Sequence, residues 1–298
     1  MRSNSYQLRI KTLTPIWTGN ANKEITTLRE TGIIGSLRWW YEALVRGLGG
    51  SACDPTNTKC DGKNHCAACE LFGCTGWARK FRLEVEKEDD LIVLHFIELK
   101  KIEDVEWALL NLTLKIIANY GAIGGKTTFK PTEGKQDENK LHHKDFGLIK
   151  IIESELEQFS STNKKLEEYA IDEKWKKVNQ EKFKWVSIQH FWCVNGKYLS
   201  RRSFSESSFN KVLGRKEPKN QASQTPSDNA SKWLAGSQKE SKKVFSFKNP
   251  SRTFGFVNPD IIDFNQIKKR LEEVWGEKND WKFITKDNIL KELLGEME

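Results

Sequence analysis

YGAIGGKTTF, Tyr120–Phe129, is the stretch whose reading decides the fold. A glycine-rich run ending in Gly-Lys-Thr suggests a phosphate-binding loop, which would make the chain a nucleotide-binding α/β protein. The spacing argues against it. A P-loop places four residues between its two glycines so that successive amides wrap the phosphates, whereas only Ala122, Ile123 and Gly124 separate Gly121 from Gly125. The surroundings differ as well: a P-loop joins a buried strand to a following helix, but here a helical pattern precedes and Phe129-Lys130-Pro131 follows. The nucleotide reading is set aside. What is left is a glycine loop whose amides, with Lys126, Thr127 and Lys130, suit the phosphates of an RNA backbone.

Working outward from that loop, the pattern of apolar residues gives an alternation of elements. Tyr6 to Leu13 alternates with Tyr6, Leu8 and Ile10 on one face, a half-buried strand. From Ser36 to Leu48, Leu37, Trp40, Tyr41, Leu44, Val45 and Leu48 follow the spacing of an amphipathic helix that Gly49-Gly50 ends. Arg79–Glu86 and Leu91–Leu99 predict a hairpin across the charged turn Lys87-Glu88-Asp89-Asp90. Glu103–Tyr120 predicts a second helix, with acids in its first turn and Gly121 as its stop, and Phe146–Ile152 a fourth strand. The order β-α-β-β-α-β is that of the split βαβ, ferredoxin-like plan.

The chain has 298 residues, enough for about two domains. The reading is α+β, with tandem ferredoxin-like (RRM-like) domains at 1–153 and 154–298. The first carries a cysteine-rich loop at 49–76, the second a long basic insert at about 205–243 and C-terminal helices. No window approaches the roughly 18 uninterrupted apolar residues of a membrane helix, and MRSNSYQLRI lacks the apolar core of a secretory signal. A cytoplasmic protein without a membrane partner is expected. The net charge of +8 favours a polyanion. It is concentrated between Leu199 and Arg252, where twelve Lys or Arg face four Asp or Glu. Within it, Lys216–Lys243 is poor in large apolar residues and reads either as a solvated linker or as a basic arm that orders on nucleic acid.

In TGIIGSLRWWYEALVRG, Thr31–Gly47, Gly35-Ser36 stands where the helix would start, so Ser36 is expected as its N-cap beside an anion site that includes Arg38. Trp40 falls in the apolar stripe and Trp39 outside it, beside Arg46. Trp39 then either packs on a neighbouring loop or offers a stacking surface for a base. Arg201, Arg202 and Arg252 are the corresponding candidate RNA contacts in the second domain.

Five of the six cysteines, Cys53, Cys60, Cys66, Cys69 and Cys74, fall in one loop, while Cys193 is alone in an apolar stretch. Cys66-x-x-Cys69 with Cys53 and Cys60 could form a tetrahedral thiolate site for a structural zinc in an otherwise coreless loop, with His65 as a reserve ligand. The alternative is reduced thiols in a surface loop.

TGIIGSLRWWYEALVRGLGG, followed by ACDP and CELFGCTGWARKF, resembles the RAMP superfamily and, within it, the family of first-numbered Cmr subunits of type III-B CRISPR effector complexes. Gly35–Arg38 is similar to the early Gly-Ser motif, Leu71-Phe72-Gly73 to the L-F-G element, Gly121–Thr127 to the glycine-rich loop after the second helix, and Pro250–Phe256 to a late hairpin. The resemblance implies tandem ferredoxin-like folds and a noncatalytic role in antiviral defence. Its implied partners are the 3′ part of the guide (CRISPR) RNA, the target RNA and the other Cmr subunits. The target-cleaving aspartates of such complexes belong to a different subunit. Some relatives in the superfamily are metal-independent endoribonucleases that use a histidine, which makes His142-His143 the alternative, catalytic reading.

Overall fold

The computed structural model describes residues 4–19, 28–54, 60–88, 90–125, 131–132, 143–200, 207–215, 228–236, 241–276 and 280–295. Four strands, β1 (Ser5–Thr12), β2 (Phe81–Glu88), β3 (Leu91–Glu98) and β4 (Ile149–Ser154), form a sheet of order β2-β3-β1-β4. Every neighbouring pair is antiparallel. The register sets Leu8 opposite Leu94, Ile10 opposite Ile92 and Leu83 opposite Phe96. These side chains share one face and are buried, so the alternation seen in the sequence becomes the floor of a core. Each buried side chain of this size stabilises the fold by about 1.5–3 kcal/mol.

Two long helices, α1 (Glu30–Gly47) and α3 (Asp104–Tyr120), belong to the same unit, with a short helix, α2 (Ala67–Phe72), inserted after α1. α3 opens with a capping box between Glu103 and Glu106. It stops at Gly121, where a Cβ would stand 2.5 Å from the Trp40 ring, so the glycine is required by close approach of the indole. The Trp40 indole N–H donates to the Ala122 carbonyl at 2.9 Å, which fastens the end of α3 to α1.

α1 begins six residues earlier than its sequence suggests. Ile33 and Ile34 are buried and continue the stripe of Leu37 and Tyr41, so apolar burial carries the helix back through Gly35 and Ser36. The cap position is Arg29, which makes no side-chain capping bond. Ser36 is therefore an interior helical residue, not the expected N-cap.

A second sheet repeats the first. β5 (Phe191–Asn195), β6 (Val244–Lys248), β7 (Ser251–Phe256) and β8 (Ile284–Thr285) follow the order β6-β7-β5-β8, again antiparallel throughout. The helices α5 (Ser208–Val212), α6 (Asn229–Ala235) and α7 (Phe264–Trp275) complete this unit. α5 and α6 fall inside the segment read as a basic loop. Phe209, Val212 and Leu234 are buried in one core with Trp192, Ile267 and Leu271, and Asp228 caps α6 through the Ser231 amide. The described parts of that insert are thus folded.

The two units are residues 1–126, 147–189 and 286–298, and residues 127–146 and 190–285. The expected division after residue 153 falls at the end of the first sheet. Beyond it, α4 (Asn163–Ile171) and the irregular segment to Gln189 still belong to the first unit, as does α8 (Lys286–Leu294).

A buried ion cluster ties the first unit together. Lys80 Nζ lies 2.8 and 2.9 Å from the two carboxylate oxygens of Glu106 on α3 and 2.5 Å from Glu70 on α2. The Tyr169 hydroxyl of α4 donates to Glu106 at 2.9 Å. Removing one partner of a buried pair strands the other charge. Lys80→Met is therefore expected to lower the unfolding free energy, measured by urea titration, by about 3–5 kcal/mol. Lys164→Met, at the exposed Lys164–Glu168 pair, should change it by no more than about 0.5 kcal/mol.

Candidate functional site

The glycine loop is held by its own neighbours. The Ile123 amide donates to Gly147 O at 2.8 Å, the Gly124 amide to Ser36 Oγ at 3.0 Å and the Gly125 amide to Trp17 O at 2.7 Å. Gly124 has φ +116°, where only glycine is unstrained. These three amides are spent inside the protein and cannot cradle a phosphate, which corrects that part of the expectation. Lys126, Thr127 and Lys130 lie outside the described residues, as do Arg201, Arg202 and His142. His143 is half-buried.

One helical turn links Ser36 to the centre of the site. Arg38 does not face solvent as an anion contact. Its Nε donates to Glu42 at 2.8 Å, its Nη1 to the Gly73 carbonyl at 2.7 Å, and its Nη2 approaches the sulfurs of Cys69 at 3.2 Å and Cys53 at 3.6 Å. Burial works against the charge on Arg38, but Glu42 and the two sulfurs outweigh it and hold the guanidinium more firmly protonated than usual. Burial pushes the Glu42 carboxyl up to about 7, with Arg38 and Arg46 opposing the shift.

Arg46 is likewise turned inward. Its guanidinium donates to the carbonyls of Val186 at 3.0 Å and Ala52 at 2.9 Å, and it is 7% exposed. Trp39 is half-buried and meets Trp40 edge to face, with ring centroids 5.1 Å apart. The pairing of an exposed Trp39 with an exposed Arg46 is therefore not formed. In the second unit Arg252 is buried, opposite Asn195 in the β5–β7 ladder, and donates from Nε to its side-chain oxygen at 3.1 Å.

The cysteines converge as the spacing suggested. The sulfurs of Cys53, Cys60, Cys66 and Cys69 all lie within 4.8 Å of one another and all four residues are buried. Cys66 is the cap residue of α2 and Cys69 sits in its first turn, which brings the C-x-x-C pair to one side. Gly49 and Gly50 turn the chain after α1 to deliver Cys53. Hydrogen bonds among the four sulfurs couple their titrations: those from Cys53, Cys66 and Cys69 lower Cys60, while those with Cys53 and Cys60 raise Cys66 and Cys69.

A tetrahedral Zn–S distance of about 2.3 Å requires sulfurs about 3.8 Å apart, so four sulfurs all within 4.8 Å of one another fit a single tetrathiolate metal site after small shifts. Cys74 is not one of the four, although its thiol lies beside Cys69; its backbone pairs with Trp77. Cys193 is buried in β5, where desolvation pushes its thiol up to about 12. His65 is not a ligand: its Nε2 meets Glu70 at 2.5 Å and its ring stacks on Trp77. Nor is the loop coreless, since Ala67, Ala68, Leu71 and Phe72 of α2 are buried.

Sequence reasoning singled out Arg38 but not its contacts. A positive side chain four residues before Glu42, on the helix face that carries Leu37 and Tyr41 nearby, was the available signal for an inward ion pair. The lysines of residues 174–184 were passed over, although Lys-Trp-Lys-Lys and Lys-Phe-Lys-Trp alternate base and aromatic.

Two sheets of the same strand order, each with helices in the βαββαβ sequence, define the class: a tandem ferredoxin-like α+β protein with a four-cysteine centre in its first unit. Residues 9–96, from β1 to β3, match the profile of the RAMP superfamily, so the resemblance carried by the Gly-Ser and L-F-G motifs holds. No curated protein matches the sequence. Among solved structures, one described as the crystal structure of Cmr1 from Pyrococcus furiosus (apo form) is similar at 11% identity and a TM-score of 0.43, covering 94% of this chain and 98% of that one. No helix among the described residues is long and apolar enough to cross a membrane.

Proposed function

We propose that this protein is a noncatalytic RNA-binding and assembly subunit of a type III-B CRISPR (Cmr) ribonucleoprotein. It contacts the 3′ part of the guide RNA, its target, or both, and works in the cytoplasm in antiviral defence. The observation that carries this reading is the RAMP match over residues 9–96, on the stretch whose motifs resemble the first-numbered Cmr subunits. The net charge of +8 and its concentration between Leu199 and Arg252 support a polyanionic partner. The noncatalytic part rests on the same resemblance, in which the cleaving aspartates belong to another subunit.

Three of the motif residues once read as RNA contacts serve the fold: Ser36 holds Gly124, Arg38 holds Gly73, and Arg46 holds the carbonyls of Val186 and Ala52. RNA contact is accordingly assigned to Lys126, Thr127, Lys130, Arg201 and Arg202, with Trp39 as the aromatic candidate. Single-stranded RNA should bind with an affinity that falls steeply with salt and should remain intact on prolonged incubation. Lys126→Ala with Lys130→Ala should weaken binding about equally across sequences and flatten the salt dependence. Absence of affinity at low salt, or cleavage of labelled RNA, would contradict the proposal.

The four-sulfur centre holds a structural zinc in this reading. Four thiolates fill the tetrahedron and leave no open position for a substrate or water. The metal would close the segment between α1 and β2, with Arg38 offsetting part of the thiolate charge. Purified protein should contain about one zinc per chain. Cys60→Ser and Cys66→Ser should lose it, whereas Cys74→Ser and Cys193→Ser should keep it. A folded, reduced sample without zinc would refute the assignment.

A further inference from the structure

The segment from Asp172 to Val186, between α4 and the short helical turn at Ile188–His190, contains Lys174, Lys176, Lys177, Lys182 and Lys184 interleaved with Trp175, Phe183 and Trp185. It has no long helix or strand of its own, yet its backbone is pinned. The Lys176 amide donates to His65 O at 3.0 Å, and the Val178 amide to Ser51 Oγ at 3.2 Å. Ser51 Oγ donates to Lys176 O at 3.3 Å, and the Ala52 amide to the Gln180 side chain at 3.4 Å. The Trp175 indole N–H donates to Tyr169 O at 2.6 Å, and Arg46 holds Val186 O. Four of these six bonds run to Ser51, Ala52 and His65, each within two residues of Cys53 or Cys66. The cysteine centre thus clasps this strap.

Between the strap and Cys53-Asp54 lies a cavity of about 260 Å³ lined by Lys176, Lys177, Lys182, Asn179 and Phe183, with Asp54 and Glu181 also on its walls. Lys177 and Lys182 are exposed, whereas Lys176 is half-buried and 3.9 Å from Asp61. We propose that this cavity and strap form a binding site for the sugar–phosphate backbone of one RNA strand. The proposal rests on the RNA-binding reading and places a specific contact within it.

The chemistry of the lining favours RNA over a simple anion. Lysine ammonium groups complement a phosphodiester, which carries a single negative charge. The Asp54 and Glu181 carboxylates would repel a free polyanion that filled the cavity, but each can accept a hydrogen bond from a ribose 2′-hydroxyl, the donor that DNA lacks. Phe183 adds an aromatic edge on which a base can rest. Because Cys53 forms part of the wall, the metal centre sets the shape of the site without touching the RNA.

The test is a comparison of the full-length protein with Lys177→Glu/Lys182→Glu, titrated into a labelled single-stranded RNA and its DNA counterpart over a range of salt. Lys177→Gln/Lys182→Gln and thermal melting serve as folding controls. The expected result is a loss of affinity of about tenfold or more at low salt and a log–log salt slope shallower by roughly 1.4, with melting unchanged. Glu181→Ala should reduce the preference for RNA over DNA. If wild type binds no RNA at all, the RNA-binding reading itself fails. If wild type binds but both lysine variants bind equally well with the same slope, this site is refuted while that reading stands. Variants that keep full RNA affinity but no longer join the complex would assign the strap to a protein partner and equally overturn the proposal.

Discussion

The guanidinium of Arg38 is the point on which the first unit depends. One planar cation, fixed on α1 through Glu42, reaches the carbonyl of Gly73 and the sulfurs of Cys53 and Cys69 at once. Four thiols brought within 4.8 Å of one another would repel as soon as more than one ionised, so their convergence needs positive charge nearby. Arg38 supplies one such charge from the helix, and a bound cation would supply the rest. Lysine could not replace it, because a single ammonium cannot satisfy a carboxylate, a carbonyl and two sulfurs in a fixed plane.

The same economy explains the sequence motifs. The Gly-Ser motif and the glycine-rich loop look from the sequence like two separate anion sites, with the L-F-G element apart from both. In the structure they bind one another: Ser36 accepts from the Gly124 amide, and Arg38 donates to the Gly73 carbonyl. Their first task is to lock α1, α2 and the end of α3 into one arrangement. On the proposed RNA-binding function, the contacting groups would lie elsewhere, on side chains projecting from this frame. The lysine strap that hangs from the cysteine segment is such a place.

Much of the fold was legible because period-2 and period-3.6 patterns are local. The strands β1, β2 and β3 and the helix α3 follow from which residues can share a face. The start of α1 was misread because Gly35-Ser36 imitates a cap, while burial of Ile33 and Ile34 overrides that signal. α5 and α6 were hidden because helices of five and seven residues leave too few apolar positions for a period to show. The four cysteines were legible from spacing, and clustering set Cys193 aside, whereas Cys74 shares their loop and only the structure leaves it outside the four-sulfur group. The inward turn of Arg38, Arg46 and Arg252 was not, since a long cationic side chain can point either way and only tertiary partners decide.

The proposed RNA contact runs through the side chains that the cysteine-braced frame projects. Crosslinking of bound RNA to the protein within its assembled ribonucleoprotein, mapped to residues by mass spectrometry, tests it most directly. Adducts are expected on the strap between Lys174 and Trp185 and on the cationic positions Lys126, Lys130, Arg201 and Arg202, with none on Arg38 or Arg46. Crosslinks confined to other subunits, or adducts on the inward-turned Arg38 and Arg46 with none on the strap, would contradict it.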